Sequence, residues 1–81
     1  RMKLHAGVDI AAPAGSPVWA TAAGRVIFAG HAGTYGQRVV IDHGHGRETS
    51  YAHLRSISVT VGTVVEGGDA IGQVGATGRA T

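Results

Sequence analysis

Glycine interrupts this chain so often that helices have almost nowhere to form. Of 81 residues 14 are glycine, and most intervals between them are too short for a helix with proper ends. The longest glycine-free run, residues 47–61, is not helical in pattern either. Ile57, Val59 and Val61 alternate with Ser58 and Thr60, which is the period of a strand. Val, Ile and Thr also recur in the shorter intervals, as strands favour. An all-β chain is predicted, with strands at Val8–Ala11, Val18–Thr21, Gly24–Ala29, Gln37–His43, Arg47–Leu54, Ile57–Val61 and Ala70–Val74. Pro13-Ala14-Gly15 suits a type I turn with proline at the second position, and Gly44-His45-Gly46 suits a tight hairpin loop.

A weak internal repeat refines the fold. Gly15-Ser16-Pro17-Val18 leads to Gly24-Arg25-Val26-Ile27, and Gly62-Thr63-Val64-Val65 leads to Ile71-Gly72-Gln73-Val74. Each half is a turn, a strand, a second turn and a strand. That cadence points to a small antiparallel flattened barrel or sandwich, its repeat related to the biotinyl/lipoyl hybrid motif. A fold alone names no function. Residues 1–81 make a single domain, and a chain of this size buries only about 60–65% of its unfolded surface. Large cofactor-enclosing cores are thereby excluded. With no cysteine there is neither a disulfide framework nor a thiolate metal cage. The net charge of +2 comes from arginines scattered singly, with no basic block for nucleic acid. No apolar run is long enough for a membrane span or a signal sequence.

Five histidines are many for this length, and they carry most of the available chemistry. His31, between Gly30 and Ala32, reads as an exposed loop residue, and His43 and His45 read as turn residues. His5 differs because Asp9 follows across Ala6-Gly7-Val8. Imidazole and carboxylate both ligate zinc, at about 2.0–2.2 Å. In a straight strand residues four apart stand about 13 Å from each other, so a bend is needed, and Gly7 allows one. In Tyr51-Ala52-His53-Leu54, alternation places Thr49, Tyr51 and His53 on one face. With a turn at residues 44–46, Arg47 would lie opposite His43, Thr49 opposite Ile41, Tyr51 opposite Val39 and His53 opposite Gln37. His53 then sits about 20 Å from His43 and His45. A strand-held histidine on a polar face suits general acid–base work or metal binding.

Taken in order, four features resemble the lysostaphin-like zinc metallopeptidases, endopeptidases of bacterial peptidoglycan. They are His5-x-x-x-Asp9, the Tyr35-Gly36 to Val39-Val40-Ile41-Asp42-His43-Gly44 stretch, Tyr51-Ala52-His53-Leu54, and Val61-Gly62-x-x-Val65-x-x-Gly68-x-x-Ile71-Gly72-x-x-Gly75-x-Thr77-Gly78. The resemblance spans nearly the whole chain. It implies that His5 and Asp9 are zinc ligands and that His53 is a catalytic histidine assisting the attacking water or stabilising the transition state. It also implies one zinc ion per complete domain, peptidoglycan stem peptides or cross-bridges as substrate, and a periplasmic or extracellular place in the bacterial cell envelope. Zinc in such enzymes brings the pKa of bound water toward about 7 and polarises the scissile carbonyl.

The family also has a His-x-His pair soon after its G-x-T-G run, supplying the third zinc ligand and a second catalytic histidine. Here the chain stops at Gly78-Arg79-Ala80-Thr81, so the expectation is an incomplete domain, clipped at both ends. Since a catalytic zinc needs three protein ligands, the 81-residue piece alone is expected to be inactive, to bind zinc weakly and to aggregate. Glycines near Gly30, Gly33 and Gly36 would let an extended peptide approach the backbone. Two other readings compete. A non-catalytic domain of the same fold that binds or regulates cell-wall hydrolases should lack His5, Asp9 and His53. A carrier domain should hold its lysine on a hairpin between the two halves, whereas Lys3 precedes the first.

Overall fold

The computed structural model describes residues 4–8 and 11–75, Leu4 and His5 by their backbone alone. Seven strands follow in chain order: β1 Leu4–Gly7, β2 Pro17–Trp19, β3 Gly24–His31, β4 Gln37–Gly44, β5 Arg47–Ile57, β6 Val64–Val65 and β7 Ala70–Val74. A 3-10 turn at Gly33–Tyr35 is the one helical element among the described residues. The strands form one sheet in the order β2-β7-β5-β4-β3-β6, with β1 added beside β5. All pairings are antiparallel except β1 with β5. The sheet is curled, and its β2–β7 ladder runs on past Trp19 and Ala70: Ala20 N donates to Asp69 O at 2.9 Å, and Gly68 N donates to Ala20 O at 2.8 Å. An all-β half-barrel results.

The repeat is legible in its hydrogen bonds. Its halves pair crosswise, β2 with β7 and β3 with β6. Gly15 N donates to Val74 O, and Gly62 N donates to Val26 O, both at 2.8 Å. In return Val74 N donates to Ser16 O and Val26 N to Thr63 O. Gly24 and Gly72 are equivalent as well. A Cβ on Gly24 would stand 2.5 Å from the Asp42 carbonyl oxygen, and one on Gly72 would stand 2.4 Å from that of Ser56. Both positions exclude a side chain because a neighbouring strand crosses there. Val18, Val26, Val65 and Val74 from the repeat then enclose Val39, Ile41, Tyr51, Leu54 and Ile71 in one core. Val40, Ser50 and Ala52 alternate with these core positions and are also buried.

Two strand predictions are corrected. Val8 and Ala11 lie outside any strand, residues 9–10 fall outside the described ones, and the first strand comes earlier, at Leu4–Gly7. Ile57–Val61 is not a strand. β5 runs on to Ile57, and the chain then turns, with Thr63 N donating to Thr60 O at 3.1 Å. The alternation seen there is packing, since Ile57 and Val59 rest against the core, while the ladder with β7 runs only as far as Ser58, whose N donates to Ile71 O at 3.0 Å. The turn at Pro13 also differs. Ser16 N donates to Pro13 O, so proline is its first residue, and Gly15 has φ +87°, which suits the third position of a type II turn. The hairpin prediction agrees with the structure: His45 and Gly46 connect β4 to β5 with φ of 54° and 74°, both positive as a type I′ turn requires.

Candidate active site

β5 has β4 along one edge, and along the other it has β1 for its first part and β7 for its last. The β1 pairing ends at Gly7 with Ser50, extended by Val8 N to Ser50 O at 3.0 Å. The β7 pairing begins at Leu54 with Val74. His53 stands between the two, where β5 changes partners. It stands there on a bulge. Tyr51 pairs with Val39, but Gln37 pairs with Leu54, not with His53 as simple alternation predicts. The extra residue in β5 is accommodated by His53 at φ +56°, a left-handed backbone uncommon for a residue with a side chain. Arg47 likewise pairs with Gly44 and not with His43. The pairs Thr49 with Ile41 and Tyr51 with Val39 agree with the sequence-based register.

The bulge overturns the predicted shared face. Tyr51 is fully buried and belongs to the core together with Leu54, while His53 between them is exposed. A regular strand would carry His53 inward after Tyr51. The extra residue turns its imidazole to solvent and returns Leu54 to the core. One glycine makes room for this backbone: a Cβ on Gly75 would stand 2.2 Å from the His53 carbonyl oxygen, whereas one on Gly36 would meet His53 only at ordinary contact distance, 3.8 Å from Cα and 4.0 Å from Nδ1. Gly36 is held in turn through its neighbours. Arg38 lies over the Tyr35 ring, 4.5 Å from its centroid, and Arg38 Nε donates to Ser50 Oγ at 2.7 Å.

An open cleft of about 450 Å³ lies beside the imidazole, lined by Ala14, Gly36, Gln37, His53, Leu54, Arg55 and Gly75. Gly30 and Gly33, grouped with Gly36 in the sequence, are not among its walls. Gln37 braces one side, its Nε2 donating to Arg55 O at 2.8 Å. His31 ends β3 opposite Gln37. It is exposed as expected, yet it belongs to a strand and not to a loop.

His43 and His45 lie at the other end of the hairpin from His53, about 20 Å away by strand rise. His43 is no free turn residue. Its Nδ1 donates to Ala23 O at 2.7 Å, and its Nε2 is 2.7 Å from Thr49 Oγ1. Thr49 Oγ1 donates to the Tyr51 hydroxyl at 3.0 Å, and that hydroxyl also meets Thr21 N at 3.0 Å and Thr21 Oγ1 at 3.1 Å. This network satisfies the buried phenol, and sequence reading missed it because its partners are scattered over three segments, the β2–β3 loop, β4 and β5.

Of the expected metal ligands, His5 is placed by its backbone on β1 opposite Glu48. Asp9 lies outside the described residues, as does Lys3. Among the described residues no three of His, Cys, Asp or Glu converge. Chemically, the His5 and Asp9 donors suit zinc. Geometrically, β1 runs parallel to β5 in the direction of His53, and Val8 is already bonded to Ser50.

Comparison with known proteins agrees with this architecture. The chain is 52% identical over 79 residues to the DD-carboxypeptidase/endopeptidase Mpg of Neisseria meningitidis, covering 98% of this chain and 18% of that protein. It is 41% identical over 81 residues to the peptidoglycan DD-endopeptidase ShyB of Vibrio cholerae, covering 100% and 19%. A zinc containing peptidase from Vibrio cholerae superposes with a TM-score of 0.81 at 37% identity, over 89% of this chain and 24% of that one. The catalytic domain of the antimicrobial peptidase lysostaphin from Staphylococcus simulans gives 0.80 at 30% identity, over 91% and 60%. The chain thus spans about a fifth of the length of the curated relatives it matches. Residues 3–81 match the sequence pattern of Peptidase family M23, and with this fold and these relatives the chain belongs to that family.

Proposed function

We propose that this chain forms the catalytic domain of a zinc metalloendopeptidase that hydrolyses peptide crosslinks of bacterial peptidoglycan, acting in the periplasm or outside the cell. The observation that carries the reading is His53, turned out of the core by a bulge at the head of an open cleft. His45 has a similar backbone because a hairpin turn requires it, whereas His53 adopts one inside a strand, and such conformations gather at functional sites. No helix among the described residues is long and apolar enough to cross a membrane.

In this reading His5 and Asp9 hold one zinc ion, and the family's His-x-His pair supplies the third ligand and a second catalytic histidine. Bound there, zinc would supply Lewis acidity toward the scissile carbonyl and toward water. The chain's own residues do the rest. His53 accepts a proton from the attacking water or donates a hydrogen bond to the oxyanion that develops, a role worth roughly 10²–10⁴ in rate. Gly36 leaves backbone uncovered on the wall of the cleft, so an extended peptide can lie close to the imidazole. The substrate is a stem peptide or cross-bridge.

The test pairs two substitutions in the intact protein. Asp9→Ala should cost most of the bound zinc, measured by elemental analysis. His53→Ala should keep zinc and fold while crosslink hydrolysis falls by about two orders of magnitude or more. Stoichiometric zinc at unchanged affinity in the first, or undiminished turnover in the second, would overturn the corresponding role.

A further inference from the structure

The cleft beside His53 holds one permanent charge, the guanidinium of Arg55, and no acidic side chain lines it. That cation forms no side-chain hydrogen bond or ion pair with any described residue; the bond from Gln37 goes to the Arg55 backbone carbonyl. It is seated all the same. A Cβ on Gly15 would stand 2.7 Å from Arg55 Nη1, so the guanidinium rests over the bare backbone of the Pro13–Ser16 turn. His53 and Arg55 are both exposed, with buried Leu54 between them. Two positions along a strand separate their Cα atoms by about 7 Å. A seated cation with no counter-ion among the described residues, lining the same cleft as the imidazole, is matched to an anionic group on whatever occupies the cleft.

On the reading of the chain as a peptidoglycan peptidase, the anion available is a carboxylate. Stem peptides carry one at the chain end and, where an acidic diamino acid is present, another on its side chain. We propose that Arg55 binds a free carboxylate of the substrate peptide and so makes the chain select free-acid peptides over their carboxamide forms. The guanidinium fork donates two parallel charge-assisted hydrogen bonds to a carboxylate. A carboxamide of the same size offers no charge and competes with donors of its own.

The experiment uses the intact protein and synthetic crosslinked stem peptides in three forms: both carboxylates free, the chain-end carboxylate amidated, or the side-chain carboxylate amidated. For the unaltered protein, amidation at one of the two positions should lower kcat/KM by about tenfold, mainly through KM. The position that matters identifies the source. Arg55→Gln should bring the acid-to-amide ratio close to one, and Arg55→Lys should keep part of it. Calorimetric binding of the same peptides to His53→Ala protein, with and without Arg55→Gln, reads the contact without turnover. Equal kcat/KM for all three forms, or a preference that survives Arg55→Gln, overturns the assignment while leaving the peptidase reading intact. An Arg55-dependent binding preference without cleavage of any peptide by the unaltered protein leaves the carboxylate site standing and removes the peptidase reading.

Discussion

Tyr51 and His53 are two residues apart and have opposite fates, and the bulge between them decides both. Tyr51 is wholly buried, so its hydroxyl has to be satisfied inside the protein, and Thr21 and Thr49 do this. Tyr51→Phe would keep the ring in the core and leave the Thr21 amide without that acceptor. We expect a loss of about 1–3 kcal/mol, measured as a lower denaturant midpoint at unchanged slope, with zinc content unaltered. His53 was legible in the sequence as a residue to watch, but its orientation was not. Strict alternation assigned it to the face of Tyr51, because the extra residue in β5 leaves no mark in the pattern of side chains. Nor was the His43 network legible, since a turn position suggests exposure and says nothing of a threonine across the hairpin or a carbonyl twenty residues away.

At the level of elements, the glycine cadence that forbade helices also specified the repeat, and the reason is steric. Gly24 and Gly72 are places where one strand crosses a neighbour's carbonyl at a distance no Cβ tolerates. Each halts a side chain at the same point of its half. Gly24→Ala and Gly72→Ala should therefore destabilise the domain by similar amounts, about 1–3 kcal/mol or more, read as matched falls in the denaturant midpoint. Strongly unequal losses would mean that the two halves do not play equivalent parts. Strands β3, β4, β5 and β7 were recognisable from apolar residues between turn signals. The short β6 carries no period of its own and was legible only through the repeat, as the strand after Gly62-Thr63, and Ile57–Val61 misled because one-sided packing alternates like a paired strand. The parallel β1 was missed for a related reason: Leu4–Gly7 has no glycine-bounded apolar run, and its pairing to the start of β5 is a tertiary fact.

For the molecule as a whole, the half-barrel and its family membership were both implied by the order of motifs, from His5-x-x-x-Asp9 to the closing glycine run. What order could not supply is how β5, bordered by β1 and then β7, opens a gap in its pairing at His53. That gap and the cleft beside it, with the zinc proposed at His5 and Asp9, point to metal-dependent hydrolysis. The most direct measurement is release of uncrosslinked peptides from purified peptidoglycan by the intact protein, before chelation, after chelation and after zinc is restored. The account predicts cleavage that disappears on chelation and returns with one equivalent of zinc, in unaltered protein and not in Asp9→Ala. Cleavage that persists undiminished in thoroughly demetallated protein, or no crosslink cleavage by the zinc-loaded protein, would contradict it.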